Sequence, residues 1–187
     1  ISDNSAVEGG GIYCYQSSPS LVNVTISGNS TETDGGGIWS YDFSSSLVNV
    51  IISGNTASDE GGGIYCYGSN PSLVNVTLSG NVANNGVGGI HCREASPSLV
   101  NCILWNDSPQ EIYIQSGSVA ATYSNIQGGW EGEGNIDTNP LFTDPENGDF
   151  TLQPSSPCID AGTADLDGDG IDDIMDYFGL APDMGAI

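Results

Sequence analysis

The stretch Gly9–Asn29, GGGIYCYQSSPSLVNVTISGN, decides the fold because the chain repeats it. GGGIWSYDFSSSLVNVIISGN occupies Gly35–Asn55, and GGGIYCYGSNPSLVNVTLSGN occupies Gly61–Asn81. A worn copy, GGIHCREASPSLVNCILWND, follows over Gly88–Asp107. Ile12, Ile38, Ile64 and Ile90 stand 26 residues apart, as do Leu21, Leu47, Leu73 and Leu99. A fixed period of this length marks an array whose units cannot bury their apolar faces alone and must stack.

Each copy is too short and too rich in Gly for a helix pair. Its apolar stretches are β-branched and broken by Gly, Ser, Asn and Pro, which predicts short strands separated by bends. Side-chain parity puts Ile12 and Cys14 on one face of a strand and Tyr13 and Tyr15 on the other. Past a bend at Val22-Asn23, Val24 and Ile26 point inward together. Stacked at about 4.8 Å, such turns cover one another's apolar groups. The expected class is all-β: a solenoid of parallel strands with 26-residue coils.

Two Asn columns fit this stacking, because an amide both donates and accepts and can bond its copy on the next coil. Asn23, Asn49, Asn75 and Asn101 form the first, at a bend where Asn also tolerates a left-handed backbone. Asn29, Asn55 and Asn81, continued by Asp107, form the second, after Ser-Gly. Both are expected to be ladders. NVT at Asn23 and Asn75 also spells a glycosylation sequon, set aside because a ladder position is buried.

The repeats resemble those of bacterial secreted right-handed parallel β-helix proteins, related in fold to pectate lyases. CILWNDSPQEIYI, YSNIQGGWEGEGNIDTNPLFTDPENGDFTLQPSSPCIDAG and the closing PDMGAI resemble the C-terminal region of multi-repeat surface members. The resemblance implies a right-handed β-helix over 1–162, with regular coils at 9–107 and irregular coils at 108–162. Residues 163–187 make a short acidic C-terminal segment. It leaves function open, because such folds serve adhesins, surface proteins and enzymes.

Charge narrows the partners. One Lys or Arg stands against 24 Asp and Glu, giving a formal net charge of −23 over 187 residues. No nucleic acid is expected as partner, since phosphates must be met by cations. Membrane insertion is not expected either, because no long apolar run exists. The opening at Ile1 reads as if a precursor or export signal had been removed, which together with the resemblance predicts an extracellular or cell-surface location.

Four constellations offer chemistry. Asp165, Asp167, Asp169, Gly170, Asp173 and Asp176 fall at positions 1, 3, 5, 6, 9 and 12 of a calcium loop, with the Ile171 carbonyl at position 7. Ca²⁺ is therefore the expected cofactor, although Asp stands where the bidentate Glu is usual. Tyr13, Trp39 and Tyr65 form one outward aromatic column, continued by His91. Tyr15, Tyr41 and Tyr67 form its neighbour, continued by Arg93. Such a face suits a protein contact, carbohydrate stacking or simple ring-on-ring packing. His91, Arg93 and Glu94 cluster in the fourth copy, but polygalacturonate elimination needs cations and hydrolysis needs two facing carboxylates, so no catalytic residue is assigned. Cys66 and Cys92 lie on adjacent coils, within reach of a disulfide, although buried small thiols are the better reading, while Cys14 and Cys66 are about 9.6 Å apart at two strand spacings and cannot bridge.

The function expected from this is a non-enzymatic extracellular structural protein. It would be the subunit of a filament or surface layer, self-associating end to end or laterally. The alternatives are a carbohydrate-binding or polysaccharide-degrading module, and a fragment of a larger adhesin.

Overall fold

The structure, a computed structural model, describes residues 1–42 and 44–186. The first coil contributes β1 (Ser5–Ala6), β2 (Ile12–Tyr15) and β3 (Ser20–Ser27). The second repeats them as β4 (Ser30–Thr31), β5 (Ile38–Tyr41) and β6 (Ser46–Ser53), and the third as β7 (Thr56–Ala57), β8 (Ile64–Tyr67) and β9 (Ser72–Ser79). In the fourth, β10 (Val82–Ala83) and β11 (Ile90–Arg93) follow the pattern, while the long strand splits into β12 (Ser98–Val100) and β13 (Ile103–Trp105). Then come β14 (Ile112–Ile114), β15 (Ala120–Thr122) and β16 (Asn125–Ile126), and an antiparallel pair, β17 (Phe142–Asp144) and β18 (Asp149–Leu152).

Equivalent strands pair parallel and in register. Ile12 meets Ile38, Ile38 meets Ile64 and Ile64 meets Ile90. Leu21, Leu47, Leu73 and Leu99 meet likewise. The result is the expected solenoid. After the fourth copy the step shortens: Ile90 pairs with Ile112 and Leu99 with Ala121. Four residues have been deleted from the coil, yet the same faces remain aligned.

One apolar column fills the rod. Ile26, Ile52, Leu78 and Leu104 stack along it with Val50, Val76, Leu47, Leu73 and Leu99. The coils approach closely where Gly10 and Gly36 sit, because a Cβ at either would lie 2.5 Å from a carbonyl oxygen of the next coil. A second cluster of Ile103, Phe142, Phe150, Cys158 and Met184 fastens the C-terminal region to the side of the rod.

The acidic segment is pinned at both ends. Asn101 exchanges two bonds with the Thr163 backbone, each 2.8 Å. Gly162 donates to Pro182 O and Met184 to Cys158 O. Gly185 donates to Asn101 O, and Ala186 N reaches Thr77 Oγ1 at 3.0 Å. Between the pins, residues 165–180 loop outward.

Two expectations need correction, and the choice between a disulfide and buried thiols is decided. Asn23, Asn49, Asn75 and Asn101 are not a ladder: each has positive φ, between 51° and 55°, and among the described residues none bonds another. Asn23 and Asn49 are exposed, whereas Asn101, with the same left-handed backbone, is buried beneath the Thr163 backbone it bonds. The sequon at Asn23 was thus set aside on a wrong premise. Cys66 and Cys92 are register partners but remain free thiols, as do the other three cysteines. Burial pushes Cys92 up to about 12 and Cys66 well above its usual value. That keeps both from the thiolate form that oxidation requires.

Candidate functional site

The aromatic face is built by β2, β5, β8, β11 and β14. In-register pairing brings each outward ring over the next. Tyr13 and Trp39 stack with centroids 4.6 Å apart and planes within 4°, and Tyr15 and Tyr41 stack at 5.2 Å. Trp39 meets Tyr65 at 6.4 Å, Tyr65 meets His91 at 5.1 Å, and His91 meets Tyr113 at 5.3 Å. Tyr113 was missed from the sequence because it lies 22 residues beyond His91 rather than 26.

Stacking changes what this face offers. Tyr13, Trp39 and Tyr65, and Tyr15 and Tyr41, cover one another's π-faces, while Tyr67 and Tyr113 meet their neighbours edge-on. Trp39 is 8 % exposed, Tyr65 5 % and His91 1 %, against 50 % for Tyr13 and 54 % for Tyr15. Sugar stacking needs a free ring face, and the interior of this column has none. Of the readings open for this face, ring-on-ring packing describes the middle of the column, with Tyr13 and Tyr15 exposed at one end and Tyr113 at the other.

The fourth-copy trio divides between different partners. Arg93 lies 4.8 Å from the Tyr67 ring centroid, a cation–π contact. His91 Nδ1 lies 3.2 Å from Glu60 Oε2. Burial lowers the His91 pKa while Glu60 works in the opposite direction. Glu94 sits at a bend with φ 52° and its N–H donates to Ser116 Oγ. A recess of about 260 Å³ beside His91 is lined by Glu60, Asn85, Gly86, Gln110 and Tyr113.

The acidic loop converges in part. Carboxylate oxygens of Asp165, Asp167 and Asp173 lie within 4.8 Å of one another. Backbone N–H groups shape the turn: Asp165 accepts from Gly168 and Gly170, and Asp173 from Leu166. Asp169 instead accepts from Ile171 N at 2.8 Å, and Asp176 turns to a recess with Asn49, Asn75 and Tyr177. Neither belongs to the converging group. Three hard oxygen donors suit Ca²⁺, with the Ile171 carbonyl and water left to fill a shell of six or more.

The second Asn column is a ladder as expected. Nδ2 of Asn29 donates to Oδ1 of Asn55, and Nδ2 of Asn55 to Oδ1 of Asn81, each at 2.9 Å. Asn4 precedes them and Asp107 follows. The in-register coils, their inward aliphatic columns and this buried amide line define the architecture, and the family described as right handed beta helix region matches residues 1–133. The chain belongs to the right-handed beta helix family. No curated protein and no solved structure matches it. Within this β-helix the matched residues hold all the regular coils and the aromatic stack. The paired strands β17 and β18 and the acidic loop lie beyond them. Among the described residues no helix is long and apolar enough to cross a membrane.

Proposed function

We propose that this β-helix is a non-enzymatic structural protein of an extracellular or cell-surface assembly, self-associating into a filament or layer. The observation that carries this reading is the constant cross-section of the regular coils. Three successive steps repeat the same inward residues, the same ladder and the same register. A rod of that kind gains interface stability with every added coil. Its β2 edge and the first part of its β3 edge display the same backbone groups that pair at every other step, the end of β3 being already paired by Ile1–Asp3, so a further coil of matching register, from this protein or another copy, docks there without new chemistry. The exposed Tyr13 and Tyr15 offer a lateral contact of rigid rings with polar tips.

Calcium belongs to the same reading. Asp165, Asp167 and Asp173 would hold it, and the ion would neutralise part of a loop whose charges otherwise repel. Negative-stain electron microscopy of the purified protein with and without Ca²⁺ tests the assembly. Rods or sheets that lengthen with concentration are expected, and dispersed monomers at every concentration count against it.

Carbohydrate binding is the second reading, favoured by a groove of about 530 Å³. Its floor is Ser27, Gly28, Ser53, Gly54, Ser79 and Gly80, and its wall is the turn from Pro145 to Gly148. A glycan array, with a reducing-end assay beside it, separates the two readings.

A further inference from the structure

The Asn ladder ends in a way its own pattern makes untenable without one more proton. Each Asn uses Oδ1 to accept from the coil before and Nδ2 to donate. Asn55 Nδ2 also donates to Ile26 O at 3.0 Å, and Asn81 Nδ2 to Ile52 O at 2.9 Å. Asp107 takes the next place, and its Oδ1 accepts from Asn81 N at 2.7 Å and Asn81 Nδ2 at 2.8 Å. Its other oxygen, Oδ2, replaces the donor branch of the ladder. The repeat assigns that branch the carbonyl of Leu78 and the next ladder member, and both are acceptors.

The next member is Glu111. Its Oε1 accepts from Asp107 N at 3.1 Å. Asp107 Oδ2 and Glu111 Oε2 are both buried without a hydrogen-bond partner among the described residues. Asp107 is 6 % exposed and Glu111 5 %. Two neighbouring ionised carboxylates, withdrawn from water and each with one oxygen lacking a donor, repel strongly.

We propose that Asp107 and Glu111 hold one proton between them at neutral pH, and that this shared proton carries the ladder from the regular coils into the C-terminal ones as a latch that loosens in alkali. The groups facing the pair are neutral. Asn81 faces it from the preceding coil, and the Gly89 backbone from the start of β11, where a Cβ would stand 3.1 Å from Asp107 Oδ2. Ser108, Pro109 and Gln110 of its own loop, with Gln127 after β16, line the recess of about 440 Å³ beside it. The ionisable groups on that flank are His91 and Glu60, in the adjoining recess that Gln110 also lines.

Burial raises Asp107 to about 6, and burial plus repulsion from Asp107 raises Glu111 to about 10. Both lie above their unfolded values, so between about pH 6 and 10 the native pair binds one proton more than the unfolded chain. Stability from this pair is complete below the ordinary carboxylate range and is lost as pH rises through that window. The unfolding constant climbs by up to about tenfold per pH unit.

Urea unfolding of the full chain at pH 6, 7.5 and 9, in chelator, tests this on wild type, Glu111→Gln and Asp107→Asn. Each amide supplies a permanent donor, so both variants are expected to flatten the pH slope. Infrared spectra of the wild type at pH 7.5 are expected to show the carbonyl band of a protonated carboxylic acid, lost in either variant. The band reads the shared proton even where one variant folds poorly. Its absence at pH 7.5, or wild-type slopes in both variants, overturns the proposal. So does disappearance of the band on adding Ca²⁺ or Mg²⁺, which would make the pair a metal site.

Discussion

Asn55 and Asn23 are the same residue type at recurring positions, yet they do unlike things. Asn55 is fully buried, accepts from Asn29 and donates to Asn81. Asn55→Ala leaves the Asn29 N–H without its acceptor and removes the side-chain donor to Ile26 O and Asn81 Oδ1, a loss expected to be about 3 kcal/mol. Asn23 is exposed and contributes its left-handed φ of 55°. Asn23→Ala is expected to cost about 1 kcal/mol, and Asn23→Gly close to nothing. Urea denaturation of the three variants checks the contrast. The sequence displayed both columns with equal force and did not separate them. Spacing reports which residues align, whereas the sign of φ decides whether the aligned side chains meet. Glu111 was invisible as a ladder member for a related reason: it follows Asp107 by four residues, inside a shortened coil, and belongs to no column.

Among the elements, β5 and β8 sit at the centre of the outer sheet, and the Trp39 ring is enclosed by Tyr13, Tyr41 and Tyr65. Trp39→Ala opens that stack and is expected to cost about 3 kcal/mol or more, measured as a fall in denaturation midpoint. Gly36→Ala meets a different obstacle, since the new Cβ would stand 2.5 Å from Gly62 O and 2.8 Å from the Thr56 backbone. Coils would have to separate there, so loss of cooperative folding is expected in a thermal melt, while Gly54→Ala, with open space around it, costs only its strained φ of 60°. β11 bears the single Arg or Lys of the chain and is paired on both sides, by β8 and β14. A protease must draw that strand out before cutting, so the folded protein is expected to survive trypsin, read by gel over a time course. These strands were legible in the copies themselves, down to their parity. The stacking geometry was not, because residue type alone does not say whether rings lie edge to water or face to water.

The whole molecule carries its net charge of −23 on a thin rod, so self-repulsion opposes folding and packing of rods alike. Added NaCl is expected to raise the melting temperature by screening. Ca²⁺ at matched ionic strength is expected to raise it further in the wild type but not in a protein carrying Asp165→Ala and Asp167→Ala, as differential scanning fluorimetry can show. The four regular copies, their register and the acidic tail were readable from the chain, whereas the 22-residue step after the fourth copy was not. The return of the tail was not, because its contacts with Thr77 and Asn101 join residues far apart in sequence, and no periodicity encodes them.

That return has a mechanical consequence. Residues 184–186 are seated beside Ile103, Asn101 and Thr77, so traction entering there is delivered to the third and fourth coils and bypasses the less regular ones beyond. The strap must tear free before the irregular coils feel any load, which shields them from the first pull.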